Sequence, residues 1–317
     1  MRRSLLAFVF LASAGALAHA QEKIKVLIVD GQNNHNYKAM TPFMKEQLEK
    51  SGLFSVDVST TPAAAPAAPR PGKEETPEQK EAREKKTAEL KEQWEKWRPA
   101  FKDYKVVLSN YNGERWPGEV SSSFEEYVRG GGGFLVIHAA NNAFSGWHEY
   151  DQMIGLGWRG KDYGARLYYD DAGALQRQEA KEGPGAGHGA QHEFVVTIRD
   201  AEHPITKGMP KTWLHATDEL YQGQRGPAEK MQILATAFAD RSKGGTGAHE
   251  PMLWVIPYGQ GKVVTNVMGH ENGKAVQCVG FVTIMLRSCE WLATGKVSMA
   301  IPENFPSADR SSVVGGK

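Results

Sequence analysis

The chain has 317 residues, of which 40% are hydrophobic and 24% charged, so it can bury one substantial core. Lys and Arg total 38 against 37 for Asp and Glu, which gives a formal net charge of +1. This balance excludes the strongly basic surface of proteins that bind nucleic acid or an anionic membrane. We expect a soluble globular protein with no nucleic-acid partner and no membrane anchor.

The first twenty residues predict a cleaved signal peptide. Arg2 and Arg3 precede the apolar run 5–17, which closes on Ala18-His19-Ala20, a small-x-small cleavage pattern. Cleavage removes two arginines and leaves a net charge near −1. We therefore expect a periplasmic or secreted protein, exported by either the general or the twin-arginine route.

The next segment predicts a β-α-β unit. Residues 24–30 form a β-branched run, 37–50 carry apolar residues at helical spacing, and 54–58 predict the next strand. An insertion follows at about 62–99. It consists of an Ala/Pro spacer and a Lys/Glu-dense segment, 74–98, which predicts an exposed charged helix without chemistry.

The core resumes with a strand at 105–109, a helix at 121–129, four glycines at 130–133 and a strand that ends at His138. Alternating strands and helices indicate a parallel sheet covered on both faces, which explains the continuously apolar "FLVI". The glycines predict a tight turn and no phosphate site, because no helix with the phosphate fingerprint follows them. We expect a three-layer, flavodoxin-like α/β fold with a mostly parallel sheet.

The remaining chain predicts a long polar loop at 157–191 and a frayed tail after Met299. Later strands and the closing helix are predicted at 193–198, 232–237, 251–256, 262–267 and 272–294. Cys278 and Cys289 fall in that helix, about 16 Å apart along its axis, which exceeds disulfide reach. They predict buried free thiols away from any site.

Three histidines fall at predicted strand ends: His35, His138 and His270. Ligands of open α/β sheets bind outside the carboxyl ends of the strands, so these side chains predict a site. Further ionisable residues that can join it are His188, His192, Asp218, Glu219 and His249. Imidazoles with a carboxylate suit Zn²⁺ or a related divalent ion. For any single histidine, a ring that only hydrogen-bonds a backbone carbonyl is the alternative. A Gly-x-Ser-x-Gly nucleophile elbow is absent from the sequence.

With these motifs, the sequence resembles the ThuA-like family, named for trehalose utilisation, whose fold is similar to class I glutamine amidotransferases. The resemblance covers about 23–295 apart from the insertion. It is carried by the stretches "FLVIHAANN", "HGAQHEFVVTIRDAEHPITKGMP", "WLHATDELYQGQRGPA" and "GTGAHEPMLWVIPYGQGKVVTNVMGH". It implies a domain over 21–297, and the remaining residues, 298–317, are the flexible tail expected from the sequence. His138 takes the place at which the amidotransferases carry a cysteine nucleophile.

The resemblance implies work on sugars, namely disaccharides or their oxidised keto derivatives, and the positions carried over are His35, His138, His188, Glu219 and His270. In our hypothesis a divalent metal held by His35, His138, Glu219 and His270 polarises a sugar oxygen, while His138, His188 or Asp218 acts as a catalytic group. Asn141, Trp147, His192 and His249 are the predicted substrate-binding residues. The alternatives are a non-catalytic carbohydrate-binding module and a structural homo-oligomer assembled through the charged helix.

Overall fold

The computed structural model describes residues 22–270 and 273–316, so the predicted signal peptide lies outside the described residues. The strands are β1 Ile24–Asp30, β2 Phe54–Thr60, β3 Val106–Ser109, β4 Gly133–Ile137, β5 Arg166–Tyr169, β6 Leu175–Gln178, β7 Gly187–His188, β8 His192–Ile198, β9 Thr212–Asp218, β10 Tyr221–Gln222, β11 Gln232–Phe238, β12 His249–Tyr258 and β13 Gly261–Asn266. The helices are α1 Tyr37–Lys50, α2 Pro77–Lys96, α3 Gly118–Arg129, α4 His148–Ile154, α5 Lys274–Gln277 and α6 Val279–Thr294. None of these helices has the length and apolar character needed to cross a bilayer.

The fold is α/β with one large mixed sheet in the order β2-β1-β3-β4-β13-β12-β11-β8-β9, extended at β12 by the β5–β6 hairpin. Pairing is parallel from β2 to β13 and antiparallel from β13 to β9. The predicted parallel sheet is therefore confirmed for one half only. The other half is antiparallel because short connections, such as the turn between β12 and β13, cannot make a parallel crossover.

Helices cover both faces of the parallel half. On β4, Leu135 and Ile137 belong to the core cluster under α1 and α6, whereas Phe134 and Val136 belong to the cluster under α3 and α4. Each of these side chains is fully buried, which contributes about 1.5–3 kcal/mol apiece. Because both faces of β4 are buried, its sequence does not alternate between apolar and polar residues. The strand lies between β3 and β13, so its end is in the middle of the sheet.

The glycine run makes the tight turn that the sequence predicts. Gly131 has φ +115°, a backbone conformation that a side chain strains. A Cβ at Gly133 would lie 2.7 Å from the Cβ of Leu292, so glycine there lets α6 pack directly on β4. The glycine run therefore has a structural role: it fixes the start of β4, the strand that His138 follows.

The inserted charged helix is present as α2. Thr76 and Gln79 form a capping box at its start, with Pro77 in the first turn. Leu90 is its one buried residue, and the indole N–H of Trp97 just beyond its end donates to the Ser59 hydroxyl at 3.0 Å. Trp94 is partly buried against the core, and most of the charged residues of the helix face water, as their pattern predicts.

Two segments differ from the sequence prediction. Within the predicted loop at 157–191, β5 and β6 form an antiparallel hairpin in which the Asp170 carboxylate accepts the N–H of Ala174 at 2.8 Å. The segment 212–218, which the sequence does not predict as a strand, is β9. Buried polar side chains such as His215 and Asp218 interrupt its apolar pattern and hide it.

The C-terminal end also differs. Described residues after α6 pack against the core, and the N–H of Leu214 donates to Ser307 O at 2.7 Å, in contrast to the frayed tail expected. Cys278 does not lie inside a helix, because the chain becomes extended there and separates α5 from α6. Both cysteines are buried free thiols, as predicted.

Candidate metal centre

Four strand ends meet at one edge of the sheet. The strands β1, β4 and β13 are parallel, and four antiparallel steps bring β9 back to the same direction. His35, His138 and His270 follow the first three strands, and Glu219 follows β9. The carboxyl ends of parallel strands share an edge, so the topology itself brings these four side chains together.

The cluster of His35, His138, Glu219 and His270, hereafter the histidine cluster, is buried, and one ligand atom from each residue lies within 4.8 Å of the others. Glu219 Oε1 lies 3.4 Å from His270 Nε2, and Glu219 Oε2 lies 3.7 Å from His138 Nε2. Ligands about 2.05 Å from a tetrahedral Zn²⁺ are about 3.3 Å apart. The cluster, which is the predicted metal set, can hold a metal ion.

His138 is held in an unusual backbone conformation. Its φ is +45°, which places a non-glycine residue in the left-handed region directly after β4. Its Nδ1 lies 2.8 Å from Val267 O, and because a carbonyl only accepts, this nitrogen carries the proton. In the neutral ring, Nε2 then presents its lone pair to the cluster, and this is the form that binds a metal.

The charges of the cluster also suit an ion. Burial, together with His138 and His270 beside it, lowers the pKa of His35 to about 4, so its imidazole is neutral at neutral pH. Burial raises the pKa of Glu219, but the neighbouring His138, His270 and His188 together outweigh it and bring that pKa to about 2. Neutral imidazole and ionised carboxylate are the ligating forms, so the residues present fit a bound cation.

Asp218 holds the frame of the cluster without facing it. Its Oδ1 accepts the N–H groups of Glu219 at 2.7 Å and His270 at 3.1 Å. Its Oδ2 accepts from His215 Nε2 and the N–H of Gly269, both at 2.7 Å. All four bonds are buried, so Asp218 positions two cluster residues instead of contacting a substrate. Burial raises the pKa of Asp218, but the hydrogen bond and charge of His215, with His138 and the N–H of Gly269, together lower it below its usual value and keep the carboxyl ionised.

An accessible histidine lies next to the cluster. His188 Nε2 is 3.5 Å from Glu219 Oε1, and its Nδ1 lies 2.7 Å from Gly189 O. The ring is exposed and lies 5.8 Å from that of Trp158, which is partly exposed. The Tyr221 hydroxyl lies 3.2 Å from His138 Nε2, and burial raises the pKa of this phenol, so it keeps its proton. His188 and Trp158 expose this side of the site to solvent, whereas Tyr221 is buried behind them.

Four predicted substrate-binding residues lie outside the histidine cluster. Asn141 is buried and donates a side-chain hydrogen bond to Gln224. Trp147 is 2% exposed and packs among core aromatic rings on the far face of the sheet. His192 donates towards Ala190 O at 2.7 Å on β8, and His249 lies beside Phe238 at 5.2 Å between ring centroids.

The position of Cys278 differs from the sequence prediction. The sequence predicts both thiols away from the site, but Cys278 lies beside His215, which hydrogen-bonds Asp218. The two side chains interact: burial raises the pKa of the Cys278 thiol, but His215 outweighs it and lowers it overall. Cys278 is thus three contacts from the cluster, through His215 and Asp218, whereas Cys289 lies in the core, where burial raises its pKa.

Sequence reasoning also missed His215, Tyr221 and Gln191, whose amide donates to Glu219 Oε1 at 3.4 Å. His215 lies on β9, where buried polar residues break the alternation, and Tyr221 lies on β10, which has only two residues. The signal that was available is the dense run of polar and aromatic residues in "HATDELYQ", which is too long for a surface turn.

Comparison with known proteins agrees with this architecture. A ThuA-like protein of Parabacteroides merdae is 37% identical, with a TM-score of 0.80 over 92% of this chain and 98% of that chain. A second ThuA-like protein, from Bacteroides uniformis, shares the fold at 17% identity, with a TM-score of 0.55 over 90% of this chain and 97% of that chain. None of the curated proteins matches the chain. The model of the ThuA family, described as trehalose utilisation, matches residues 72–292. The chain therefore belongs to the ThuA family, which supports a role connected with carbohydrates.

Proposed function

We propose that the protein is a metal-assisted enzyme of carbohydrate catabolism that acts on a glycoside or keto-glycoside. The histidine cluster carries this proposal, because three imidazoles and an ionised carboxylate share one buried position at the end of a sheet. Zn²⁺ or a related divalent ion would be held by His35, His138, Glu219 and His270. When bound, such an ion would act as a Lewis acid towards an oxygen of the sugar.

The neighbouring residues supply the proton chemistry. His188 is exposed, and because its Nδ1–H is used by Gly189 O, its Nε2 is the atom that takes or gives a proton. Tyr221 keeps its proton and offers an O–H donor beside His138. Asp218 is fully used by four donors, so we assign it positioning and leave proton transfer to His188.

Trp158 is the aromatic side chain best placed to hold a sugar ring. It lies between His188 and Tyr221, at 5.8 and 4.7 Å between ring centroids, and it is partly exposed. Aromatic rings bind the C–H faces of sugars, and a polar group beside the ring fixes orientation. In this proposal Trp158 replaces Trp147, whose ring is buried in the core.

The experiment combines elemental analysis with turnover. The purified protein is expected to contain about one equivalent of a divalent metal, which a chelator removes together with activity on trehalose or on trehalose oxidised to a ketone in one ring. His138→Ala should lower kcat/KM at least about 100-fold, whereas His148→Gln, an exposed histidine on α4, should leave it unchanged. Sugar binding without turnover by the metal-loaded protein would refute the enzyme and favour a binding module.

We also infer that the mature protein acts outside the cytoplasm, because the leader at 1–20 has a charged start, an apolar centre and a small-x-small end. Mass spectrometry of the natively produced protein tests this. A chain that begins at Gln21 is expected, and an intact leader on cytoplasmic protein would contradict it.

A further inference from the structure

We propose that a cavity beside the histidine cluster binds the second, non-reacting sugar unit of a neutral disaccharide. The cavity measures about 570 Å³ and is lined by Gln32, Asn33, Asn34, Tyr37, Ala64 and Asn112. This volume is within the range of small-molecule sites. The inference rests on the proposed function, since it assigns the part of the substrate that does not react.

The cavity adjoins the metal centre through the loop after β1. Asn34 Nδ2 lies 3.1 Å from His35 Nε2, and the N–H of His35 donates to Asn33 Oδ1 at 3.0 Å. The loops after β2 and β3 contribute the other walls, so the cavity occupies the same carboxyl edge of the sheet. A ligand with one ring at the histidines reaches this cavity with its neighbouring ring.

The chemistry of the lining selects an uncharged, hydroxyl-rich ligand. Four of its side chains are amides, each with a donor and an acceptor, and Tyr37 adds an aromatic ring. Among the described residues that line the cavity, none is Lys, Arg, Asp, Glu or His. Glu114, which accepts a hydrogen bond from Gln32 at 3.4 Å, adds a negative charge nearby. A sugar acid or phosphate would therefore find no counter-charge and some repulsion.

The amides are held in place before any ligand binds. Gln32 donates to Pro62 O at 2.9 Å and accepts the N–H of Glu114 at 2.8 Å. Asn112 donates to Asn34 Oδ1 at 2.7 Å. A Cβ at Gly113 would lie 2.3 Å from Gln32 Cβ, so glycine is what allows these loops to approach. Fixed polar groups lose little entropy on binding, which favours a built site.

The Ala/Pro spacer acquires a role in this arrangement. Pro62 accepts from Gln32, the N–H of Ala65 donates to Glu114 Oε1 at 3.3 Å, and Ala63 and Ala64 form one wall. Alanine side chains are short, so they leave room where larger residues would fill the cavity. The insertion therefore shapes the substrate site, while its charged helix faces water.

The matched variants Ala64→Trp and Ala68→Trp test the inference, because both residues are exposed on the spacer and only Ala64 lines the cavity. Calorimetry of the metal-loaded protein is run with trehalose, its singly oxidised keto form and glucose. Ala64→Trp should weaken disaccharide binding at least about tenfold and leave glucose affinity unchanged. Ala68→Trp should match the wild type with every sugar.

Asn112→Ala gives a second measurement, which does not depend on filling the cavity with a larger side chain. It should raise KM for the disaccharide about fivefold to tenfold with kcat retained, because the lost hydrogen bond holds the distant ring equally in ground and transition states. Wild-type affinity in both Ala64→Trp and Asn112→Ala would overturn the inference while the proposed function stands. A wild type that neither binds nor converts any of these disaccharides would overturn both.

Discussion

Asp218 Oδ1 lies 3.1 Å from the backbone nitrogen of His270, so a carboxylate at the end of β9 fixes a cluster residue that follows β13. The two strands stand four places apart in the sheet. This bond therefore ties together positions that no local turn could hold. It makes the geometry of the histidine cluster depend on a residue that does not enter it.

Asp218→Asn should weaken metal binding about 10- to 100-fold. Each Asp218 oxygen accepts two donors, so either orientation of the new amide sets an N–H₂ against a donor. Competition with a metal-sensitive dye measures the affinity. Asp200→Asn is the control, since Asp200 accepts the N–H groups of Glu202 and His203 away from the cluster. Equal affinity in both variants would contradict the positioning role.

The backbone at His138 predicts an inverted order of stability. At φ +45°, His138→Gly should be more stable than His138→Ala by about 1 kcal/mol, because only glycine adopts this region without strain. Urea unfolding in chelator measures the difference. At His148, in the first turn of α4, the same pair should show the usual order, with alanine more stable. If the His138→Ala variant were more stable than the His138→Gly variant, the inferred backbone strain would be refuted.

Metal removal should lower the melting temperature. An ion at about 100 times its Kd contributes about 2.7 kcal/mol, which corresponds to about 4 °C for a chain of this size. Calorimetry with and without chelator measures the shift. Glu219→Gln should abolish the shift and His148→Gln should keep it. A chelator effect that survives in Glu219→Gln would place the ion elsewhere.

His203 should make the fold sensitive to acid. Burial, opposed by Asp200, lowers the pKa of His203 below 6.5, and its Nδ1 accepts the N–H of Ile205 at 3.2 Å. The stabilisation is complete above about pH 6.5 and is lost as the pH falls through the folded pKa. His203→Asn keeps an acceptor without titrating. Between about pH 7 and pH 5, the unfolding free energy of the His203→Asn variant should therefore fall less than that of the wild type, as urea titrations would measure. An equal fall in both proteins would show that His203 is not the source of the acid sensitivity.

The histidine cluster was predictable because the rule for strand ends needs only the direction of the strands and the residue that follows each one. His35, His138 and His270 follow apolar runs that are plain in the sequence. Glu219 was predicted from the residues only as one of several ionisable groups that could join the site, and the family resemblance then singled it out. Its strand was not recognised, because β9 carries His215 and Asp218 at buried positions and its pattern is broken. Polar groups that are satisfied internally resemble a loop in sequence.

The antiparallel half of the sheet was harder to predict from the sequence. Apolar runs such as β11 and β12 look alike whether their partners are parallel or antiparallel, and pairing depends on connections. The turn "YGQG" before β13 was the available sign of a hairpin. Trp147 was misplaced for a different reason: a tryptophan near a strand end is equally suited to a pocket and to a core, and only the surrounding rings decide.

The strand β13 lies at the middle of the sheet, between β4 and β12, yet it is the last strand of the chain. Without this strand, the parallel half and the antiparallel half of the sheet have no strand in common, so they cannot join. His270 arrives with the same late segment. The centre therefore closes only once β13 has joined β4 to β12, and a metal ion can be held by all four cluster residues only after that step.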